Sequence, residues 1–181
     1  MIRKISLTER DQEVCQSLRV NPQDIQDDHY DYSKVVVKKP WGYEYLIFSN
    51  AMVAVWILYL KDGAQTSMHC HPGKKTSLVV LQGKVVCSSL TNQFEHFVGE
   101  GLLIDKGAFH QTRSASESGA FIMEIESPVN KRDLVRLKDE YGREGKGYEK
   151  SDKHSVNLQN YNYLSLHTPE IHYNLKKQFG Q

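Results

Sequence analysis

Residues 68–76 read MHCHPGKKT. In an extended segment side chains alternate between faces, so His69 and His71 project to one side and Cys70 to the other. Two imidazoles on an inward face can grip a metal ion. Such a pair usually recruits a carboxylate a few residues later, but this chain offers only Lys74, Lys75 and Thr76. A third histidine, His110, ends the stretch KGAFH, just past a glycine turn and at the start of another short apolar run.

Around that stretch the chain reads as strands. From Val35 to about Pro128, short apolar runs (VVV, YEYLIF, VAVWILYL, TSLVVL, KVVCSSL, GAFIMEI) alternate with turn residues in SNA, KDG, LQGK, LTNQ and GEG. A strand every 8–12 residues or so predicts an antiparallel sandwich or small barrel with no room for crossover helices. Thr8 can cap a short helix near residues 9–19, with Val14 and Leu18 on one face, and Asn21-Pro22 stops it. The organisation expected is an N-terminal extension over 1–34, a barrel over 35–128, and a charged, then aromatic, extension over 129–181 docked on the barrel or on a second subunit.

Composition excludes several classes of partner. The 181 residues carry 23 lysines and arginines against 22 acidic residues, so no global field draws the chain to nucleic acid or to an anionic membrane. No run approaches the roughly 18 apolar residues of a span, and MIRKISLTERDQEV is not a signal peptide; a cytoplasmic protein is expected. Three scattered cysteines, Cys15, Cys70 and Cys87, suggest reduced thiols rather than a disulfide framework.

The spacing of the histidines is informative. Gly63, His69, His71, Thr76 and Gly83 are separated by five, one, four and six residues. That order resembles the first motif of the cupin superfamily, with threonine in place of its glutamate. Gly99, Asp105, Gly107, His110 and Ser114 resemble the second motif, with its proline and final asparagine replaced. The resemblance implies an all-β fold, a double-stranded β-helix or jelly-roll barrel, in which His69, His71 and His110 converge on a divalent metal: zinc, manganese or iron, with nickel possible. KKPWGYEY, KDGAQTSMHCH and RDLVRLKDEYGR are similar to the cupin domain of type II mannose-6-phosphate isomerases. Those enzymes carry an attached nucleotidyltransferase domain, which this chain is expected to lack.

The resemblance implies a sugar-phosphate or nucleotide-sugar isomerase or epimerase of carbohydrate or surface-polysaccharide biosynthesis. Such chemistry needs a polarised carbonyl, a proton-transfer group and an anchor for an anionic substrate. The residue types are present: Glu124 or His110 for proton transfer, and Arg136, Arg143, Lys74 and Lys75 for the anion, with Arg136 also a catalytic candidate. Glu124 and Glu126 share one face of FIMEIES, and residue spacing leaves open whether that face is the barrel interior or solvent; the resemblance favours Glu124 inside. Lys74 and Lys75 are equally readable as a solvated turn, and Asp139 as a structural partner for an arginine. Two other readings compete, a three-histidine iron dioxygenase and a non-catalytic cupin that binds a sugar or small acid. VVVKKPWGYEY, as an exposed edge strand, predicts a homodimer.

Overall fold

The computed structural model describes residues 1–33, 35–144 and 148, and the backbone of 155–157. Two sheets face each other. The larger, of eight strands, runs β1 (Ile2–Ile5), β9 (Gly101–Ile104), β6 (Lys75–Gln82), β11 (Ala120–Ser127), β4 (Ala54–Leu60), β3 (Gly42–Ser49), β2 (Val35–Lys39), β13 (Ser155–Asn157). The smaller, of five, runs β12 (Val135–Lys138), β5 (Met68–Cys70), β10 (His110–Ser114), β7 (Lys84–Ser89), β8 (Gln93–Phe97). All described pairings are antiparallel except that of β1 with β9.

The segments expected to be extensions contribute strands to these sheets. β1 lengthens the large sheet at one end and β13 at the other, while β12 pairs with the histidine strand β5. β13 therefore takes the edge of β2 that was expected to meet a second subunit, and the edge-strand argument for a dimer falls. The remainder of the aromatic C-terminal stretch lies outside the described residues.

Helix α1 (Glu9–Ser17) forms where the cap predicts it: the Thr8 hydroxyl accepts from the Asp11 N–H and the Asp11 carboxylate accepts from the Thr8 N–H. Its buried side chain is Asp11, not the apolar pair. Leu18, expected on the packed face, is the C-cap and is 42% exposed. Asp11 is buried because its other oxygen accepts the Phe109 N–H at 3.0 Å, which fastens the helix beside His110.

The inward faces follow the period of two. Ala54, Trp56, Leu58 and Leu60 of β4 and Ala120 and Ile122 of β11 enter one core, with Val80, Val85, Leu102 and Ile104 from neighbouring strands. Phe121, on the opposite face, packs outside the large sheet with Val36, Tyr45 and Ile57. Along the inward face of β11 the sequence changes from Ala120 and Ile122 to Glu124 and Glu126, all buried. The barrel thus has an apolar end and a charged end.

Gly42 sets the entry to β3. Its φ is +152°, and a Cβ there would lie 1.9 Å from the Tyr59 carbonyl oxygen, a backbone atom of the paired strand. Gly42→Ala is expected to cost more than about 2 kcal/mol, read as a lower urea midpoint with an unchanged slope; a midpoint equal to that of the parent would show that the hairpin can shift to accept the methyl group.

Candidate metal centre

His69 and His110 are directly opposite each other on β5 and β10, and His71 follows two residues after His69. The ring centroids are 4.3 Å apart for His69 and His110, 5.0 Å for His69 and His71, and 5.3 Å for His71 and His110. One ligating nitrogen from each lies within 4.8 Å of the other two, a spacing that suits a divalent ion held by three imidazoles.

Each ring is oriented from behind. His69 Nδ1 bonds the Ser67 carbonyl at 2.7 Å, His71 Nδ1 the Asp133 carbonyl at 2.5 Å, and His110 Nδ1 the Ala108 carbonyl at 3.0 Å. A carbonyl oxygen can only accept, so Nδ1 carries the proton in all three rings and Nε2 presents a bare lone pair. Burial also keeps the rings neutral. It pushes His69 and His71 well below the ordinary imidazole range, helped for His69 by His110 and for His71 by Lys74, and it pushes His110 down to about 4.

Beside the histidines a cleft opens between the sheets. His69 and His71 are on its wall with Trp41, Thr66, Glu44, Glu124, Lys39, Lys74, Lys131, Arg136, Arg143 and Tyr148. Five cationic side chains therefore face two carboxylates. Arg136 reaches the cleft because β12 pairs with β5 and sets it opposite His69 in register. Arg143 is gripped by Asp139 through Nε at 3.0 Å and Nη2 at 2.7 Å, so the structural partner read in the sequence is present while the arginine still borders the cleft.

Glu124 and Glu126 both face inward, which decides the question the spacing left open. Their environments differ. Glu126 accepts from the Trp56 indole N–H at 3.1 Å and from the Lys74 ammonium, and Lys74 also donates to the Asn130 carbonyl at 2.9 Å. Burial pushes Glu126 up, but Lys131, Lys74 and these hydrogen bonds outweigh it and hold the carboxyl below its usual range. Burial pushes Glu124 up and prevails over the attraction of Lys131. Two neighbouring carboxyls are thereby driven apart in acidity.

Lys74 is neither a solvated turn nor a loose anchor: it is 2% exposed and paired to Glu126. Lys75 is outside the cleft. β6 turns Thr76 inward, so alternation turns Lys75 out, where it meets Asp105 at 3.5 Å on the surface. Thr76, at the position of the motif glutamate, is buried opposite Glu126, and its hydroxyl finds no hydrogen-bond partner among the described residues.

Sequence reasoning missed Lys39, Glu44 and Lys131. Lys131 Nζ stands 3.8 Å above the Trp56 ring and 3.5 Å from Glu44, and Lys39 Nζ is 3.6 Å from the same carboxylate and 3.7 Å from the Tyr148 ring centroid. The Tyr148 hydroxyl donates to Glu44. The signal was present in two of them: Lys39 shares the strand phase of buried Val37, and Glu44 that of Gly42 and Leu46.

The facing sheets and the histidine geometry can now be set beside known structures. A single-site mutant of Bacillus subtilis oxalate decarboxylase superposes with a TM-score of 0.50 at 16% identity, over 56% of this chain and 29% of that one. That likeness shows a shared fold of two facing β-sheets and nothing beyond the fold. An RmlC-like cupin from Shewanella frigidimarina covers 58% of the chain and 95% of its own, with a TM-score of 0.48 and 14% identity. A cupin-2 domain from Rhodospirillum rubrum covers 61% and 80%, at 0.49 and 11%. No family model matches the chain. Among curated proteins it is 24% identical over 137 residues to a mannose-1-phosphate guanylyltransferase of Klebsiella pneumoniae, a match that covers 75% of this chain but 29% of that relative's length. No helix among the described residues is long and apolar enough to cross a membrane.

The buried imidazoles make acid stability a direct readout of this centre. The unfolded chain binds protons at histidine below about pH 6.5, whereas folded His110 resists them until about 4. The unfolded state then holds more protons, so stability falls as pH drops through that window. His110 alone should remove about 2 kcal/mol between pH 7 and pH 5, with His69, His71 and buried His96, itself lowered by burial, adding in the same direction. Urea titrations of metal-free protein at both pH values measure this. His71→Ala should flatten the dependence and abolish stoichiometric zinc binding; a full equivalent of zinc in that variant would make the histidines structural.

Proposed function

We propose that this chain is a metal-dependent cupin isomerase or epimerase acting on a sugar phosphate or nucleotide sugar in carbohydrate or surface-polysaccharide biosynthesis. The observation that carries the reading is a single cleft in which bare imidazole nitrogens, a high-pKa carboxyl and arginines meet. The distant likeness to a mannose-1-phosphate guanylyltransferase supports a phosphorylated sugar as the substrate class.

A divalent ion held by His69, His71 and His110 would supply a Lewis acid for a carbonyl or hydroxyl oxygen. Glu124 is the proton-transfer group. Its raised pKa brings it nearer to working pH, where a carboxyl both takes and returns a proton. Glu126, ionised and tied to Lys74, keeps that cation from neutralising Glu124 and does not itself transfer protons. Arg136 and Arg143 bind the phosphate, since a planar guanidinium donates to two anionic oxygens at once. Asp139 fixes the Arg143 head in advance. Lys131, among Glu44, Glu124 and Glu126, balances the carboxyls when the proton moves.

The test is proton exchange. Zinc-, manganese- or iron-loaded protein is incubated in D2O with hexose and pentose phosphates and with nucleotide sugars, and deuterium is sought at the carbon next to the carbonyl or at the epimerised carbon. Glu124→Gln should slow exchange by roughly 10²–10⁴-fold with metal content unchanged, and Arg136→Ala should raise KM more than it lowers kcat. No exchange with any of these substrates and metals would defeat the reading, and oxygen uptake by the iron form would favour a three-histidine dioxygenase instead.

The same proposal has the chain working as a cytoplasmic homodimer, through Ile47, Phe48 and Met52, apolar side chains exposed at the β3–β4 turn, rather than through β2. Sedimentation at micromolar concentration should give twice the 20.8 kDa of one chain; a mass of one chain refutes the dimer and leaves the chemistry untouched.

A further inference from the structure

Tyr32 joins the charged end of the barrel to a loop that precedes β2. Its ring meets the Trp56 ring edge-on with centroids 5.3 Å apart, and Tyr30 meets Tyr32 in the same manner at 4.7 Å. The loop that carries both tyrosines is pinned at several points. The Asp28 carboxylate accepts the Tyr32 hydroxyl at 2.8 Å and the Tyr30 N–H at 3.2 Å, and Asp31 accepts the Ser33 N–H at 2.9 Å. The Gln26 carbonyl accepts from the Asn130 amide at 3.1 Å and its side-chain oxygen from the Arg132 guanidinium at 2.8 Å, which ties the loop to the segment before β12. Between this loop, β3 and that segment lies a cavity of about 200 Å³, whose described wall shares only Lys131 with the histidine cleft.

The walls of this cavity select its occupant. A phosphate finds no anchor: Lys131, the one cation on the described wall, is already matched by Glu44, Glu124 and Glu126, and Asp28 and Asp31 repel an anion. A metal ion is no better served, because no third acid or imidazole joins those two aspartates within ligating reach among the described residues. An organic ammonium meets a Trp56 ring whose face is taken, with Lys131 Nζ standing 3.8 Å from its centroid. A neutral, hydroxyl-rich ring fits. Carboxylate oxygens accept strong hydrogen bonds from hydroxyls, and Leu46, Val129 and Tyr30 offer apolar surface to the C–H faces. We propose that this cavity is a second binding site, for a neutral pyranose. At roughly 30 Å³ for each water the space corresponds to about six or seven waters, whose hydrogen bonds a ring carrying several hydroxyls can replace. The site depends on no assumption about the reaction in the cleft.

The probes are the methyl pyranosides of mannose, glucose, galactose and rhamnose, which carry no charge and whose rings are locked against isomerisation. Each is titrated into the full-length protein by calorimetry and by saturation-transfer NMR. At least one should bind saturably at millimolar concentration. Tyr30→Ala and Asp31→Asn, both on the exposed loop, should each raise its Kd about tenfold. The asparagine keeps an oxygen for the Ser33 N–H, so the loop holds its shape in that variant. Arg136→Ala, in the cleft, should leave the Kd unchanged. Three results would each overturn the proposal: no pyranoside bound at tens of millimolar, an affinity lost in Arg136→Ala but kept in both loop variants, or binding of inorganic phosphate or tetramethylammonium that the loop variants abolish.

Discussion

Three backbone carbonyls, those of Ser67, Ala108 and Asp133, fix what the histidines can do. By accepting from Nδ1 they select one tautomer in every ring and aim every Nε2 at one point. Two of the three come from residues two positions before the histidine they serve, so the local chain conformation supplies them. The third comes from 62 residues away and depends on the loop before β12. That loop is itself held by the Asp133 carboxylate, which accepts the Gly73 N–H at 3.0 Å. The turn after His71 and the loop that orients it therefore determine one another, and β12 follows from both, bringing Arg136 to His69.

The charged end of the barrel is costly. Lys39, Glu44, Lys74, Glu124, Glu126 and Lys131 are all buried, and removing such ions from water costs several kcal/mol each before their mutual attraction is counted. Well-packed apolar side chains of similar volume are often as stable or more so in such positions, and the other end of the same barrel is built from Val80, Val85, Leu102 and Ile122. Lys131 is matched by three glutamates and a tryptophan face, an over-determined position for one ammonium. Charges held in place this way act on whatever enters the cleft without reorganising.

Much of this was legible in the sequence. The alternation of apolar runs and turns gave the strands, and the two histidine spacings gave the fold and the cluster of three histidines that could hold a metal, because motif residues on short strands have few ways to be displaced. Strand phase was a weaker guide where charge and burial conflicted. Glu124 and Glu126 continue the phase of Ala120 and Ile122, yet carboxylates on an inward face contradict the usual rule until the cations opposite are known. Those cations come from a turn and a loop, Lys74 and Lys131, whose residues have no periodicity to read. β13 was invisible for the same reason that makes β2 look like an exposed edge: three residues paired at the sheet's rim leave no pattern of their own.

Thr76 shows how such a site can lose its motif carboxylate without losing its charge balance. Opposite it in register stands Glu126, on the adjacent strand and buried in the same layer. A glutamate at 76 would put a second carboxyl against Glu126, which already takes the ammonium of Lys74 and the indole of Trp56. The threonine therefore goes with Lys74. One residue type relieves repulsion within the layer, and the other supplies the ion pair that keeps Glu126 ionised. Glu124, two residues along the same strand, is then the inward carboxyl left to respond to what enters the cleft.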